Sequence, residues 1–166
     1  MKTFLRFITI TALGVLFHFL YDWSGENILV GFFTSINEST WEHLKLLFFP
    51  MLFVTIFEIV FLKKKIQVLL PLRTLGILSG MLFIVVTFYT FWGISGRLVD
   101  FINISIYIFA VYFALLIEKS YTHRKKLPDM SICITILTAF VILFIIFTLH
   151  SPGVGIFYDL SLHPKS

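Results

Sequence analysis

Charged residues and cysteine are both scarce in this chain of 166 residues. Only 13% of the residues are charged and one is cysteine, while glycine and proline number nine and five. A lone cysteine, Cys133, excludes an intramolecular disulfide and leaves the redox compartment undetermined. No phosphate-binding loop, dinucleotide fingerprint, serine-hydrolase motif or aromatic–basic patch occurs. Nothing therefore indicates a nucleotide-dependent enzyme, and we predict no nucleic-acid partner.

Apolar side chains make up most of what is present. They account for 58% of the residues, among them 21 phenylalanines, and the mean hydropathy is +0.97. Because lipid offers no partners for backbone polar groups, a segment needs about 20 apolar residues to cross a bilayer as a helix. We therefore predict one membrane domain over residues 1–166, an all-α bundle in the lipid bilayer. Its five spans run over Phe4–Leu20, Leu46–Leu62, Val68–Trp92, Phe101–Ile117 and Ile132–Leu149.

Basic residues predict the orientation of the bundle. Nine of them fall at alternate ends of the spans, which is the positive-inside pattern rather than a surface for a polyanion. The N-terminus is then cytoplasmic and the C-terminus lies outside. Lys2 and Arg6 precede an apolar run as in a signal peptide, but no small-x-small cleavage site follows, so we predict a retained first helix. The nine residues are Lys2, Arg6, Lys63, Lys64, Lys65, Lys119, Arg124, Lys125 and Lys126.

Carboxylates and imidazoles collect on the opposite, outer side. Two interpretations stay open. These residues can lie there simply because loops tolerate polar side chains, or they can form a functional site, as polar residues beside membrane spans often do. The side chains concerned are Asp22, Glu26, Glu38, Glu42, Asp100 and Asp159 together with His18, His43, His150 and His163.

A dense polar run, Asn37–Lys45, lies between the first two spans. Ser39 and Glu42 have the spacing of a capping box, in which each side chain accepts from the backbone N–H of the other at the start of a helix. Asn37 is typical of a turn. Trp41 lies at the depth expected of an interfacial anchor. Much of this run thus has a structural explanation.

Histidines near the outer ends of the first two spans predict a metal site. His18 shares a helix face with Tyr21 and Asp22, three and four residues later. His43 lies in the first turn of the second span, at a depth similar to that of His18. If these helices are neighbours, His18, His43 and Glu42 form a ligand set suited to zinc or another divalent metal, with one position left for water. The spacing itself specifies no metal.

The tail adds further polar groups on the same side. Glycines at positions 153 and 155 follow Pro152, and this turn can fold the tail back over the bundle. The tail then brings a carboxylate and an imidazole to the outer face. The catalytic candidates are Asp22, Glu38 and Glu42, and the other binding candidates are Tyr21, Asn37, Ser39, Trp41, Asp159 and His163.

Three features bear on the architecture of the bundle. The apolar stretch Ile28–Phe33 is too short to span, which predicts an interfacial or re-entrant segment between the first two helices. Glu58 and Arg73 lie at comparable depth in adjacent spans, so we expect an ion pair. Gly76 and Gly80 form a GxxxG pattern that permits close contact with a neighbouring helix.

Two blocks between positions 18 and 50 form a motif. They are His18-x-x-Tyr21-x-Trp23-Ser24-Gly25 and Asn37-Glu38-Ser39-x-Trp41-Glu42-His43-Leu44-Lys45-Leu46, followed by Pro50. The motif resembles a family of small bacterial integral-membrane proteins of unknown function. This resemblance implies a multi-pass protein of the bacterial cytoplasmic membrane and brings no activity with it.

A looser similarity is to the membrane hydrolase superfamily that includes alkaline ceramidases. That similarity implies a zinc site built from His, Asp and Ser on several helices. The superfamily fold has seven spans and paired histidines in its last helix. This chain has five predicted spans, with only His150 and His163 beyond the last one.

Three functions remain open from the sequence. The first is an outward-facing ligand or metal site, hydrolytic or not, so enzyme activity is undetermined. The second is a non-catalytic accessory, assembly or immunity-type protein that docks through Asn37–His43, with a protein partner or a second copy of the chain. The third is a small transporter in which Glu58 and Arg73 form part of a relay.

Overall fold

The computed structural model describes residues 3–97, 99–122 and 126–159, and the regular structure of these residues is all helical. Five long helices follow one another along the chain. A four-residue helix lies between the first two, and a 3₁₀ turn follows the last. The elements are α1 (Thr3–Trp23), α2 (Ile28–Gly31), α3 (Thr40–Val60), α4 (Ile66–Ser95), α5 (Asp100–Tyr121), α6 (Met130–Leu149) and the 3₁₀ turn Gly155–Phe157.

Five of these helices are long and apolar enough to cross a membrane, which confirms the predicted number of spans. α4 is the longest, with 30 residues, and ends at Gly96, whose φ of 64° gives the left-handed cap that glycine favours. α2 falls within the short apolar stretch Ile28–Phe33. Its first turn is capped by Asn27, whose side chain accepts from the backbone N–H of Leu29.

The centre of the bundle is formed by α3 and α4. In an 18-residue apolar stretch of each of these two helices 61% of the residues are buried, against 17% in the corresponding stretch of α1 and 22% in that of α6. α4 packs closely on α5, because a Cβ added to Gly76 would lie 3.0 Å from the carbonyl oxygen of Ala114. A Cβ added to Gly80 would lie 3.1 Å from the Cβ of the same alanine. The predicted close helix contact at the GxxxG pattern is therefore confirmed.

Four buried or half-buried charges meet at the end of the bundle where α1 begins. Arg73 Nη2 donates to Glu58 Oε2 at 2.8 Å, which confirms the expected ion pair. Arg6 Nε donates to Glu58 Oε1, also at 2.8 Å. Glu118 Oε1 lies 3.1 Å from Arg73 Nη1, and its other oxygen lies 3.6 Å from Arg6. We call these four residues the charge network. Its two positive and two negative groups balance, as burial requires.

Trp41 is buried, whereas an interfacial anchor exposes its ring to the lipid headgroups, so the predicted anchor role is wrong. Its side chain is 8% exposed and packs against the rings of Phe144, Phe147 and Phe157, with centroids 4.9 to 5.3 Å apart. The last of these rings belongs to the 3₁₀ turn. The tail therefore covers the start of α3 and removes Trp41 from the surface. Trp23, in contrast, is 69% exposed at the end of α1.

Candidate functional site

The connection between α1 and α3 is held against the bundle by one buried lysine. Lys45 is fully buried, and its Nζ donates to the carbonyl oxygens of Gly31 at 2.9 Å and Thr34 at 3.4 Å. It also donates to the hydroxyl of Thr148 in α6 and to Glu42 Oε2, the latter at 2.7 Å. Because a buried ammonium needs several acceptors, this arrangement determines where the connection runs.

The predicted capping box forms only in part. Ser39 Oγ accepts from the backbone N–H of Glu42 at 3.3 Å, as expected of an N-cap. The backbone N–H of Ser39, however, donates to Asn37 Oδ1 at 2.9 Å rather than to the Glu42 carboxylate. Glu42 instead accepts from Lys45 and from the backbone N–H of Ile36 at 3.0 Å. The reciprocal bond was wrongly predicted because the buried ammonium attracts the carboxylate more strongly.

Three side chains from separate segments converge at this end of the bundle. Glu38 Oε2 lies 3.3 Å from Nε2 of His43, and Glu38 Oε1 lies 3.7 Å from Nε2 of His18. The two imidazole centroids are 5.5 Å apart. One potential ligand atom from each residue falls within 4.8 Å of the others, so the group can hold a metal ion. We call His18, Glu38 and His43 the triad.

The ring of His43 is oriented by a backbone contact. Its Nδ1 lies 2.9 Å from the carbonyl oxygen of Ser39, which can only accept, so Nδ1 carries the proton. In the neutral ring, Nε2 then presents a lone pair to the Glu38 carboxylate. Two electron-rich groups at this distance need a proton or a cation between them. A backbone carbonyl behind a histidine is also the usual support of a metal ligand.

Glu38 is ionised at neutral pH. The hydrogen bond with His43 and the charges of His43 and His18 lower the pKa of Glu38 below its usual 4.5, against the opposing effects of burial and Asp159. About half of its side chain is exposed. The carboxylate is therefore both charged and reachable from solvent.

The tail reaches the triad. Asp159 Oδ2 accepts from the backbone N–H of Glu38 at 3.2 Å, so the carboxylate predicted as a binding candidate lies beside the site. The packing of the 3₁₀ turn against α3 brings it there. His163, the other candidate in the tail, lies outside the described residues.

The other candidates occupy different places. Asp22 is exposed at the end of α1 and is not a member of the triad. The ring of Tyr21 lies against Gly31, where an added Cβ would be 3.1 Å from the ring, so it supports the connection. Asn37 and Ser39 serve the start of α3 through their side chains. Glu42, chosen from the sequence as the metal-binding carboxylate, is engaged with Lys45.

The carboxylate of the triad is thus Glu38, which the sequence suggested only as a catalytic candidate. The positions of Glu38 and Glu42 in the sequence already distinguish the two acids. Glu42 has Lys45 three residues later on the same helix face, whereas Glu38 precedes the helix cap and has no such partner. The acid without a helical partner is the one available to the histidines.

The five long apolar helices are compatible with a multi-span α-helical membrane protein, and the triad is a polar group that could hold a metal. The chain belongs to the Family of unknown function (DUF6512), whose model matches residues 2–163. The resemblance found in the sequence to an uncharacterised family is confirmed, and it extends well beyond positions 18–50. No curated protein and no solved structure matches the chain.

Proposed function

We propose that this chain is a multi-pass membrane protein that binds one divalent metal ion at the triad. Zinc is the metal that suits these three ligands best. The observation that supports the proposal is the convergence of two imidazole nitrogens and one ionised carboxylate from α1, the connection and α3. Two histidines and a carboxylate are a known ligand set of catalytic zinc.

The separations from Glu38 to the two histidines are close to those around a tetrahedral ion, and the remaining spread requires small side-chain movements. Ligand atoms bound at about 2.1 Å to a tetrahedral zinc lie about 3.4 Å from one another. Glu38 Oε2 lies 3.3 Å from His43 Nε2, Glu38 Oε1 lies 3.7 Å from His18 Nε2, and one ligand atom from each of the three residues falls within 4.8 Å of the others. Since Glu38 is half exposed, rotation of its side chain is enough to adjust the geometry. The cation takes the place of the proton that otherwise links the carboxylate to Nε2 of His43.

A three-ligand site leaves the fourth position for water. A zinc ion in such a site lowers the pKa of its water to about 7 and so supplies hydroxide for hydrolysis. We propose a hydrolytic reaction as the chemistry that follows from metal binding. Glu42 is less suited to act as its base than Asp159, because Glu42 is paired with Lys45 and Asp159 contacts the backbone of Glu38.

We place the triad at the outer face of a bacterial cytoplasmic membrane, with the chain forming one domain and its N-terminus inside. The exposed lysines between α3 and α4 support this orientation, because they cluster at the opposite end of the bundle from the triad. Burial of Ser39, Trp41 and Glu42 also favours metal binding over the docking hypothesis, which depends on exposure of these side chains.

Metal analysis of the purified protein tests the proposal. Protein freed of any affinity tag and equilibrated with zinc is expected to retain about one zinc per chain after removal of free metal. His18→Ala and His43→Ala are each expected to lower the bound zinc severalfold, since two ligands remain. His150→Ala, at an exposed histidine outside the triad, serves as the matched control. Wild-type protein without bound zinc, or equal loss in His150→Ala, contradicts the proposal.

A further inference from the structure

A cavity lined by several charged residues lies at the end of the bundle opposite the triad. It is an open cleft of about 510 Å³ between the beginnings of α1 and α4 and the end of α5. Among the residues that the structure describes, its lining includes Arg6 and three lysines, Lys64 and Lys65 before α4 and Lys119 in the last turn of α5. We call it the lysine cleft.

The positive charge of the lysine cleft is not compensated from within the described part of the chain. Glu118 is the acidic residue that lines the cleft, and it is engaged by Arg73 and Arg6 in the charge network. No ion pair links Lys64, Lys65 or Lys119 to a carboxylate among the described residues. Three like charges around one cavity repel one another, so an anion between them lowers the energy.

The first turn of α4 adds to this preference. Lys65 is the N-cap of the helix and makes no side-chain capping hydrogen bond, although a helix begins here with backbone N–H groups that need acceptors. The positive end of the helix dipole therefore points to the same cleft region as the lysines.

One wall of the cleft is apolar. Val68 and Leu72 of α4 line it together with Leu115 of α5. A small hydrated anion gains nothing from such a wall, whereas a lipid places its phosphate on the lysines and its acyl chain along the apolar side chains. Basic pockets between membrane helices commonly bind anionic lipid headgroups in this way.

We propose that the lysine cleft is a binding site for the phosphate group of an anionic phospholipid. Lys64, Lys65 and Lys119 hold the phosphate, and the apolar wall formed by α4 and α5 holds the beginning of an acyl chain. This site is independent of the metal proposed at the triad.

Lipid binding by native mass spectrometry tests the proposal. Delipidated protein in a neutral detergent is titrated with phosphatidylglycerol or with phosphatidylcholine, and the bound fraction of each is compared. Wild-type protein is expected to bind phosphatidylglycerol at least tenfold more tightly. The double variant Lys64→Gln/Lys119→Gln is expected to lose roughly 30-fold, about fivefold for each lysine near an anionic headgroup.

Two other exposed lysines at this end provide the matched control. Lys63→Gln/Lys126→Gln removes the same charge from positions that do not line the cleft, and it is expected to change binding less than threefold. Equal binding of the two lipids, or equal losses in both double variants, overturns the proposal. If millimolar inorganic phosphate displaces phosphatidylglycerol, the ligand is a soluble phosphate compound and the lipid assignment is overturned.

Discussion

Glu38 and Glu42 are four residues apart, yet their surroundings give them different roles. Glu42 lies in the first turn of α3, where burial and the ammonium of Lys45 commit its carboxylate to the interior. Glu38 precedes the N-cap residue Ser39, so its side chain lies outside the helix and reaches both histidines. At the residue scale, the position relative to a helix cap thus decides which acid serves the site.

The lowered pKa of Glu38 predicts a particular loss of stability in acid. Because the folded protein holds this proton less tightly than the unfolded chain does, the ionised group stabilises the fold above the unfolded pKa. That contribution disappears as the pH falls from the usual value of 4.5 through the lower folded value. The thermal midpoint of metal-free protein, measured with a chelator present, is expected to fall over this range.

Two variants make the acid experiment specific. Glu38→Gln is expected to have a flatter pH dependence over the same range, because it has no carboxylate to protonate. Glu26→Gln changes an exposed acid in the same connection and is expected to behave as wild type. A pH dependence of Glu38→Gln that matches the wild type contradicts the role given to this carboxylate.

The connection between α1 and α3 contains only the short helix α2, and contacts with a buried side chain hold it in place. Lys45 contacts two carbonyl groups of the connection, the first turn of its own helix and a hydroxyl of α6. One side chain therefore joins three elements beneath the triad. At the element scale, this lysine acts as the support of the site rather than as a member of it.

Replacing Lys45 by methionine tests this support. Lys45→Met keeps the length of the side chain but leaves Glu42 as a buried carboxylate without its cation, which costs roughly 3–5 kcal/mol. The free energy of unfolding in detergent is expected to fall by that amount, and zinc affinity is expected to weaken because Glu38 loses its fixed position. Lys63→Met, at an exposed lysine, is the control. A variant as stable as wild type shows that the connection is held by other contacts.

Across the whole molecule, polar chemistry is divided between two ends of an apolar bundle. The triad lies at one end, and the charge network lies with the lysine cleft at the other. The central spans α3 and α4 are the most buried, so the two centres are separated by a packed apolar interior. This separation agrees with a protein that presents one site to each side of a membrane.

Cysteine accessibility tests the proposed orientation at this scale. The native Cys133 is 1% exposed and is expected not to react in the folded protein, which gives a clean background. Glu26→Cys is expected to react with a membrane-impermeant thiol reagent in intact cells. Lys63→Cys is expected to react only after the membrane is opened, because the proposed orientation places the basic loop in the cytoplasm. Reversed labelling of the two positions contradicts the orientation.

Much of the fold was determined by the sequence alone, because hydropathy is a local property of each segment. The five spans, the N-cap at Ser39 and the pair Glu58–Arg73 were all predicted correctly. Each depends on residues close in sequence or on depth within neighbouring helices. The family membership was likewise recognisable from a motif whose residues lie within about thirty positions.

Other features were decided only by tertiary structure. The burial of Trp41 depends on a tail more than a hundred positions away, and Arg6 and Glu118 complete the charge network only because α1, α4 and α5 meet there. Glu38 rather than Glu42 belongs to the triad because the buried ammonium of Lys45 pairs with the carboxylate of Glu42. Sequence therefore determined which segments form helices long and apolar enough to cross a membrane. The triad instead depends on how the charges pair, and that pairing is set by burial and three-dimensional distance.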